Sequence, residues 1–431
     1  MTAEHDPLGG IQIVDADAHF TEPRDTWSSR VAASMQDKVP QLRTVDGRSA
    51  WYLDGELWAS TGGNTIRQGG AKALGELGLH PFEEIDRSAW DVPARLALLD
   101  SLGIAAQILY PNGVGFSSNH IFAIEDERTR LEILRIYNDF LGDVQEESGG
   151  RLYPQALLPI WDMPATIREM TRLLDRGIRG FTFSDRPELL GLPELPESFY
   201  DPMWDLLSES GSVANFHVGA GRKSEMNEDV KAARGLGGPA PARPEPADPP
   251  EPADPPVPAV AAPYWSSYGI QRRLVIASAQ GFMSNVRIIA NLCMSDLFDR
   301  FPGVRVVSAE SGIGWVPFLL ESLEYQLDEM VTAPGEVALQ RRRPTEYFRD
   351  HVYATFWFER AGLENTIATV GVRNVLVETD IPHPTCTYPG ARERFAASLS
   401  NTAHDVRQRV LRDNAAELYR LSLPAQREQG M

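Results

Sequence analysis

The stretch Val14–Phe20, "VDADAHF", places Asp15, Asp17 and His19 at alternate positions behind the apolar Ile11, Ile13 and Val14. Residues two apart in a strand share a face, so one strand would present two carboxylates and an imidazole together. Charged groups are seldom buried without a partner. Similar groups recur far downstream: His217 in "NFHVG", Glu310 in "SAESG", and Asp380 in "ETDIPH", with His383 three residues on. Carboxylates and neutral imidazoles are the groups that bind a divalent metal. Each has a plainer reading alone, as a hydrogen-bonded core histidine or, for Asp380 and Glu310, a helix cap. As a set they are what a metal site assembled from dispersed strand ends requires.

The elements that would position them alternate regularly. Strand-like runs stand at 11–19, 104–111, 152–160, 178–184, 212–219, 304–312, 352–359 and 374–384, with helical patterns between them. In "DVPARLALLDSLG", for example, Asp91 is the candidate cap, Pro93 lies in the first turn and Gly103 stops the helix. Repeated β-α units imply parallel strands. Eight of them imply a closed (β/α)8 barrel, the TIM barrel, whose chemistry sits at the C-terminal ends of its strands. An open doubly wound sheet would show a glycine-rich phosphate loop after its first strand, and "DADAHFTEP" stands there instead. The expected unit is one catalytic domain over 11–421 with two insertions. The first, 20–90, contains "SAWYLDGELWAS", a hairpin pattern around Asp54-Gly55. The second, 220–262, includes a stretch at about 235–260 in which PEPADP occurs twice in tandem. That composition favours extended, solvated chain, and a disordered surface loop is expected there.

The 431 residues carry a formal net charge of −19, which argues against nucleic acid and anionic membrane surfaces as partners. Two cysteines, Cys293 and Cys386, make no disulfide framework and no CxxC. The acidic N-terminus lacks the features of a signal peptide, and no apolar run approaches the ~18 residues of a membrane span. A cytoplasmic protein acting on a small molecule is expected.

The residues "DADAH" (15–19), "FHVG" (216–219), "ESGIGWVPFLLE" (310–321), "TDIPH" (379–383) and "DNAAELYRL" (413–421) give the chain its resemblance to the amidohydrolase-related branch of the amidohydrolase superfamily. Well-known members of that branch are metal-dependent decarboxylases, among them the aminocarboxymuconate-semialdehyde and hydroxybenzoate decarboxylases. The resemblance implies that Asp17 and His19 are the first-strand ligand pair and His217 the fifth-strand ligand. It implies that Asp380 is the eighth-strand aspartate, both ligand and proton-transfer group. A homodimer is a further implication. Two departures stand out: the first-strand motif is Asp-x-His rather than His-x-His or Glu-x-His, and Glu310 occupies the sixth-strand end where decarboxylases usually carry histidine. The fourth strand lacks the lysine of binuclear members, so one metal ion is expected, zinc first, with manganese or iron as alternatives.

From such a site two chemistries follow: non-oxidative decarboxylation of a small aromatic or unsaturated acid, or hydrolysis of an amide, ester or C–C bond by activated water. Among the candidate catalytic residues, Asp380 is the proton shuttle, Glu310 a further ligand, a base or a hydrogen-bond partner, and His383 a group that orients the substrate or supports Asp380. Arg24 is a candidate clamp for a substrate carboxylate, and Trp27 and Trp357 are candidate walls for a planar substrate. A barrel that binds metal without catalysis is the third reading.

Overall fold

The computed structural model describes residues 6–75, 80–221, 265 and 267–423. The proline-rich stretch expected at 235–260 lies outside the described residues. Eleven strands occur among them: β1 (Ile13–Phe20), β2 (Gln41–Val45), β3 (Arg48–Leu53), β4 (Glu56–Ser60), β5 (Ile104–Pro111), β6 (Leu152–Leu157), β7 (Gly180–Thr182), β8 (Val213–His217), β9 (Arg305–Ala309), β10 (Val352–Phe356) and β11 (Val375–Val377). Eight of them form one sheet in the order β1-β5-β6-β7-β8-β9-β10-β11, and every neighbouring pair is parallel. The seam is closed by backbone bonds just past β11: the Asp380 N–H donates to the Asp17 carbonyl at 2.9 Å and the His19 N–H to the Ile381 carbonyl at 2.7 Å. The fold is a (β/α)8 barrel, with its two edges joined by residues of the predicted site.

The helices begin and end where the sequence provides for it. The Asp91 side chain caps Val92–Leu102 by accepting the Ala94 N–H, and Gly103, at φ 65°, ends it in the left-handed region. Among the described residues no helix is long and apolar enough to cross a membrane.

Two apolar clusters divide the barrel. One, which includes Ile13, Ala18, Phe20 and Leu109, lies under the helices. The other takes Val14, Ala16, Ile108, Tyr110, Val213, Val307, Tyr353 and Leu376 from β1, β5, β8, β9, β10 and β11, together with Leu418 and Tyr419. Since it draws on strands from all round the sheet, it fills the barrel, and the C-terminal helix Asn414–Leu418 plugs it.

Strict alternation along β1 does not hold. Asp15 pairs with Gln107 and Ala18 with Leu109, so β1 has one more residue in this interval than β5. Such a bulge shifts the side-chain phase. Ala16 therefore faces inward with Val14, and Asp15 turns to the helix side. There it accepts from Gln107 Nε2 at 2.7 Å and from the Thr379 N–H at 2.7 Å. Gln107 in turn accepts from Arg95, whose guanidinium also donates to the His19 carbonyl. Asp15 belongs to a buried polar chain beneath the site and does not share a face with Asp17 and His19.

The first insertion contains a separate antiparallel sheet, β2-β3-β4. Its two turns are Asp46-Gly47 and Asp54-Gly55, with φ of 49°, 74°, 51° and 86°. Positive φ at both central residues is the turn that matches strand twist, and Asp-Gly suits it.

Candidate metal centre

The barrel brings five of the predicted groups together at its C-terminal end. Asp17 and His19 come from β1, His217 is the last residue of β8, Glu310 follows β9, and Asp380 lies three residues past β11. His217 Nε2 lies 3.4 Å from an Asp17 oxygen and 3.0 Å from Glu310 Oε2. His19 Nε2 lies 3.5 Å from Asp17 and 3.5 Å from Asp380. Asp17, His19, His217 and Asp380 are all fully buried, and Glu310 nearly so.

The orientation of both imidazoles is set by the backbone. His19 Nδ1 is 3.0 Å from the Pro111 carbonyl, and His217 Nδ1 is 2.8 Å from the Val218 carbonyl. A carbonyl only accepts, so each Nδ1 carries the proton and each Nε2 turns a lone pair inward. Burial first, with the neighbouring His383, holds both rings neutral, with pKa values lowered to about 3. The lone pairs therefore face carboxylate oxygens, a repulsive contact unless a cation lies between them. The Nε2 atoms of His19 and His217 and both oxygens of Asp17 have no hydrogen-bond partner. Buried polar atoms are rarely left so, and these donors fit one divalent ion.

The surrounding acid carries the same message. Burial, with Glu378, Glu310 and Asp380 close by, pushes the Asp17 carboxyl well above its usual range. Burial would also raise Asp380, but His383 and His19 beside it take it below the ordinary carboxylate value. Carboxylates in such proximity cannot all ionise without compensating charge.

Two of the acids sit on backbone that few residues adopt. Glu310 has φ 49° and Asp380 φ 58°, in the left-handed region that costs a non-glycine residue about 1 kcal/mol or more. Glu310 is held there by its own N–H, which donates to Thr355 Oγ1 and Glu378 Oε2, each at 3.1 Å. Asp380 is held by the seam bond to Asp17 and by Thr385, whose hydroxyl donates to Oδ2 at 2.9 Å.

His383 stacks on His19 with centroids 3.7 Å apart. Its Nδ1 lies 2.8 Å from Asp380 Oδ1 and its Nε2 3.2 Å from Asn112 Oδ1. Asn112 Nδ2 donates to Thr21 Oγ1, whose own proton goes to Asn64, so the amide oxygen is the atom turned to His383. Both ring nitrogens face acceptor oxygens.

In front of the cluster lies a cavity of about 300 Å³, whose walls include Asn112, Phe116, His120, Phe282, Glu310 and His383. The first insertion closes one side through Ser60, Gly62 and Gly63. Gly62, at φ 79°, is packed so closely that a Cβ would lie 1.8 Å from Asn112 Oδ1, so only glycine fits there.

None of the three candidate substrate residues lines this cavity. Arg24 is half exposed and paired with Glu83. Trp27 is core, edge-on to Trp51 and bonded to the Ile133 carbonyl. Trp357 lines a second groove beside the cavity. Of the cavity's own walls, Asn112 and Phe116 lie in the loop after β5, His120 in the short helix Asn119–Phe122, and Phe282 at the end of the helix Ile270–Gly281 between β8 and β9. The sequence signal for the first two was the strand-end position of "YPNGVGF" alone.

A protein-family model described as Amidohydrolase matches residues 14–421. The gamma-resorcylate decarboxylase of Rhodococcus jostii (strain RHA1) is 24% identical over 354 residues, covering 79% of this chain and 91% of that protein. Two crystal structures share the fold. An amidohydrolase from Mycobacterium avium subsp. paratuberculosis K-10 aligns with TM-score 0.65 at 17% identity, over 95% of this chain and 97% of that one. A dihydroxybenzoic acid decarboxylase from Polaromonas sp. JS666, with bound manganese and the inhibitor 2-nitroresorcinol, aligns with TM-score 0.53 at 19% identity, over 77% and 87%.

Proposed function

Since the chain belongs to the amidohydrolase family, we propose that it is a metal-dependent carboxy-lyase that removes CO₂ from a small aromatic or unsaturated carboxylic acid. The observation that carries this reading is the pair of neutral imidazoles whose inward lone pairs meet the unpartnered carboxylate of Asp17. Asp17, His19, His217 and Asp380 hold one divalent ion, with Glu310 Oε2 within reach as a fifth donor. Two imidazoles among carboxylates suit zinc, manganese or iron. Manganese in the Polaromonas decarboxylase and the gamma-resorcylate decarboxylase relative support this choice of metal and reaction. When bound, the ion supplies positive charge that stabilises a developing oxyanion on the substrate.

The chain's residues do the rest. Phe116 and Phe282 flank a planar substrate in the cavity. The C–carboxylate bond breaks, CO₂ leaves, and the carbon that carried it takes a proton. Asp380 and His383, 2.8 Å apart at Oδ1 and Nδ1, hold that proton at the cavity wall. Solvent then returns one proton to the pair, so the reaction consumes one proton per CO₂ released.

One observation favours a second reading, a hydrolase. Among the described residues no lysine or arginine lines the cavity to clamp a substrate carboxylate, while Glu310 does and can take a proton from water. The test is turnover of hydroxybenzoates by metal-loaded protein, followed by CO₂ release. Release of CO₂ is the expected result. Turnover of amides or lactones without CO₂ selects the hydrolase, and inertness to both panels leaves a binding barrel.

A further inference from the structure

Beside the cavity runs a groove of about 860 Å³. Ser278, Phe282 and Pro384 line both spaces. Thr385 lines the groove while its hydroxyl donates to the buried Asp380, so one side chain separates the groove from that carboxylate. Its walls are aromatic. Phe282 stands edge-on to Trp357 at 5.0 Å, and Trp357 edge-on to Phe358 at 4.5 Å. These rings are fixed rather than merely adjacent. The Ser311 hydroxyl donates to the Phe282 carbonyl, Trp315 Nε1 donates to the Ser311 carbonyl at 2.8 Å, and the Glu359 carboxylate accepts the N–H groups of Ile313 and Trp357. Among the described residues no lysine or arginine lines the groove, and Glu359 is its one carboxylate. Yet Val275 and Met283 are half or more exposed around it, and Phe358 a little less than half, so the groove opens to solvent as an apolar surface.

We propose that this groove is a substrate subsite for an uncharged apolar extension, an aryl group above all. The substrate then carries one carboxylate, directed to the cavity, and a ring or chain that passes Phe282 into the groove. A second anionic group there would meet Glu359 and no cation, so dicarboxylates are poor substrates. The inference rests on the carboxylic-acid reading of the cavity. The occupant is the substrate itself because the groove continues the cavity wall and touches Asp380 through Thr385.

The test is calorimetric binding to manganese-loaded full-length protein of four probes: 2-hydroxybenzoate, its 4- and 5-phenyl derivatives, and its 4-carboxy derivative. One phenyl isomer is expected to bind at least tenfold tighter than the parent, the order expected for burying a ring, and the dicarboxylate more weakly. Ala279→Trp, on an exposed stretch of the groove wall, is expected to bring the phenyl preference to within about twofold, and Phe358→Ala to reduce it. Equal affinities for parent and phenyl isomers overturn the proposal, whether another part of the chain or a second copy covers the groove. So does a preference that survives Ala279→Trp in a variant with native circular dichroism. The same series with 2-hydroxybenzamides separates the two readings. Amides that bind with the phenyl preference, when no carboxylate binds, sink the carboxy-lyase and leave the groove standing.

Discussion

His19 and His217 each commit Nδ1 to a backbone carbonyl, and that bond decides what Nε2 is for. A ring so tethered cannot turn to find another partner, so the lone pair stays aimed at Asp17. His217→Ala should therefore purify with less than one-tenth of the metal of the parent protein, measured by elemental analysis beside circular dichroism. Unchanged metal content would contradict the ligand set. Asp380→Asn keeps a side chain that tolerates left-handed backbone while it removes the proton-holding carboxylate. Its turnover should fall by about 10² or more, with the fold intact. The acids and imidazoles that meet at the rim were legible only as a set, because each alone could be a core histidine or a helix cap. The cavity walls were not, because Asn112 and Phe116 lie in a loop and His120 in a one-turn helix, with no periodicity to betray which way they point. Arg24, five residues past His19, lies half exposed beside Glu83 and outside the cavity wall.

At the scale of the element, the informative one is β1. Period-two reading placed Asp15 on the same face as Asp17, and a one-residue bulge undoes it. No composition rule announces a bulge; it follows from how β1 must pair with β5 and still turn both Asp17 and His19 inward. Its consequence is the buried chain Arg95–Gln107–Asp15–Thr379, which ties a helix to β5, β1 and the segment after β11. Gln107→Leu fills similar space but strands both neighbours. Leaving buried charged groups short of a hydrogen bond costs about 1–3 kcal/mol each. The variant should lose about 2–4 kcal/mol in urea unfolding, and a loss below about 0.5 would show that the chain is not under tension.

For the whole molecule, the barrel was legible from eight β-α repeats and the missing glycine-rich loop. What was not legible was that the first insertion contributes to the cavity, since its glycines 62 and 63 matter only through their contact with Asn112 and His383. The site and the barrel seam are also one object, for Asp17, His19 and Asp380 supply both. A chelator should therefore lower the melting temperature by several degrees, and added metal restore it. Ligand at a hundredfold excess over its dissociation constant contributes about 2.7 kcal/mol. An unchanged melting curve would mean that the ion is held elsewhere. The left-handed backbone at Glu310 and Asp380 has one more consequence, for descent. Without the ion, a glycine at either position relieves strain and removes a buried acid, so a metal-free barrel grows sturdier by losing its chemistry. Drift toward a pseudoenzyme is then downhill, and only the stabilisation that the bound ion returns keeps both acids in place.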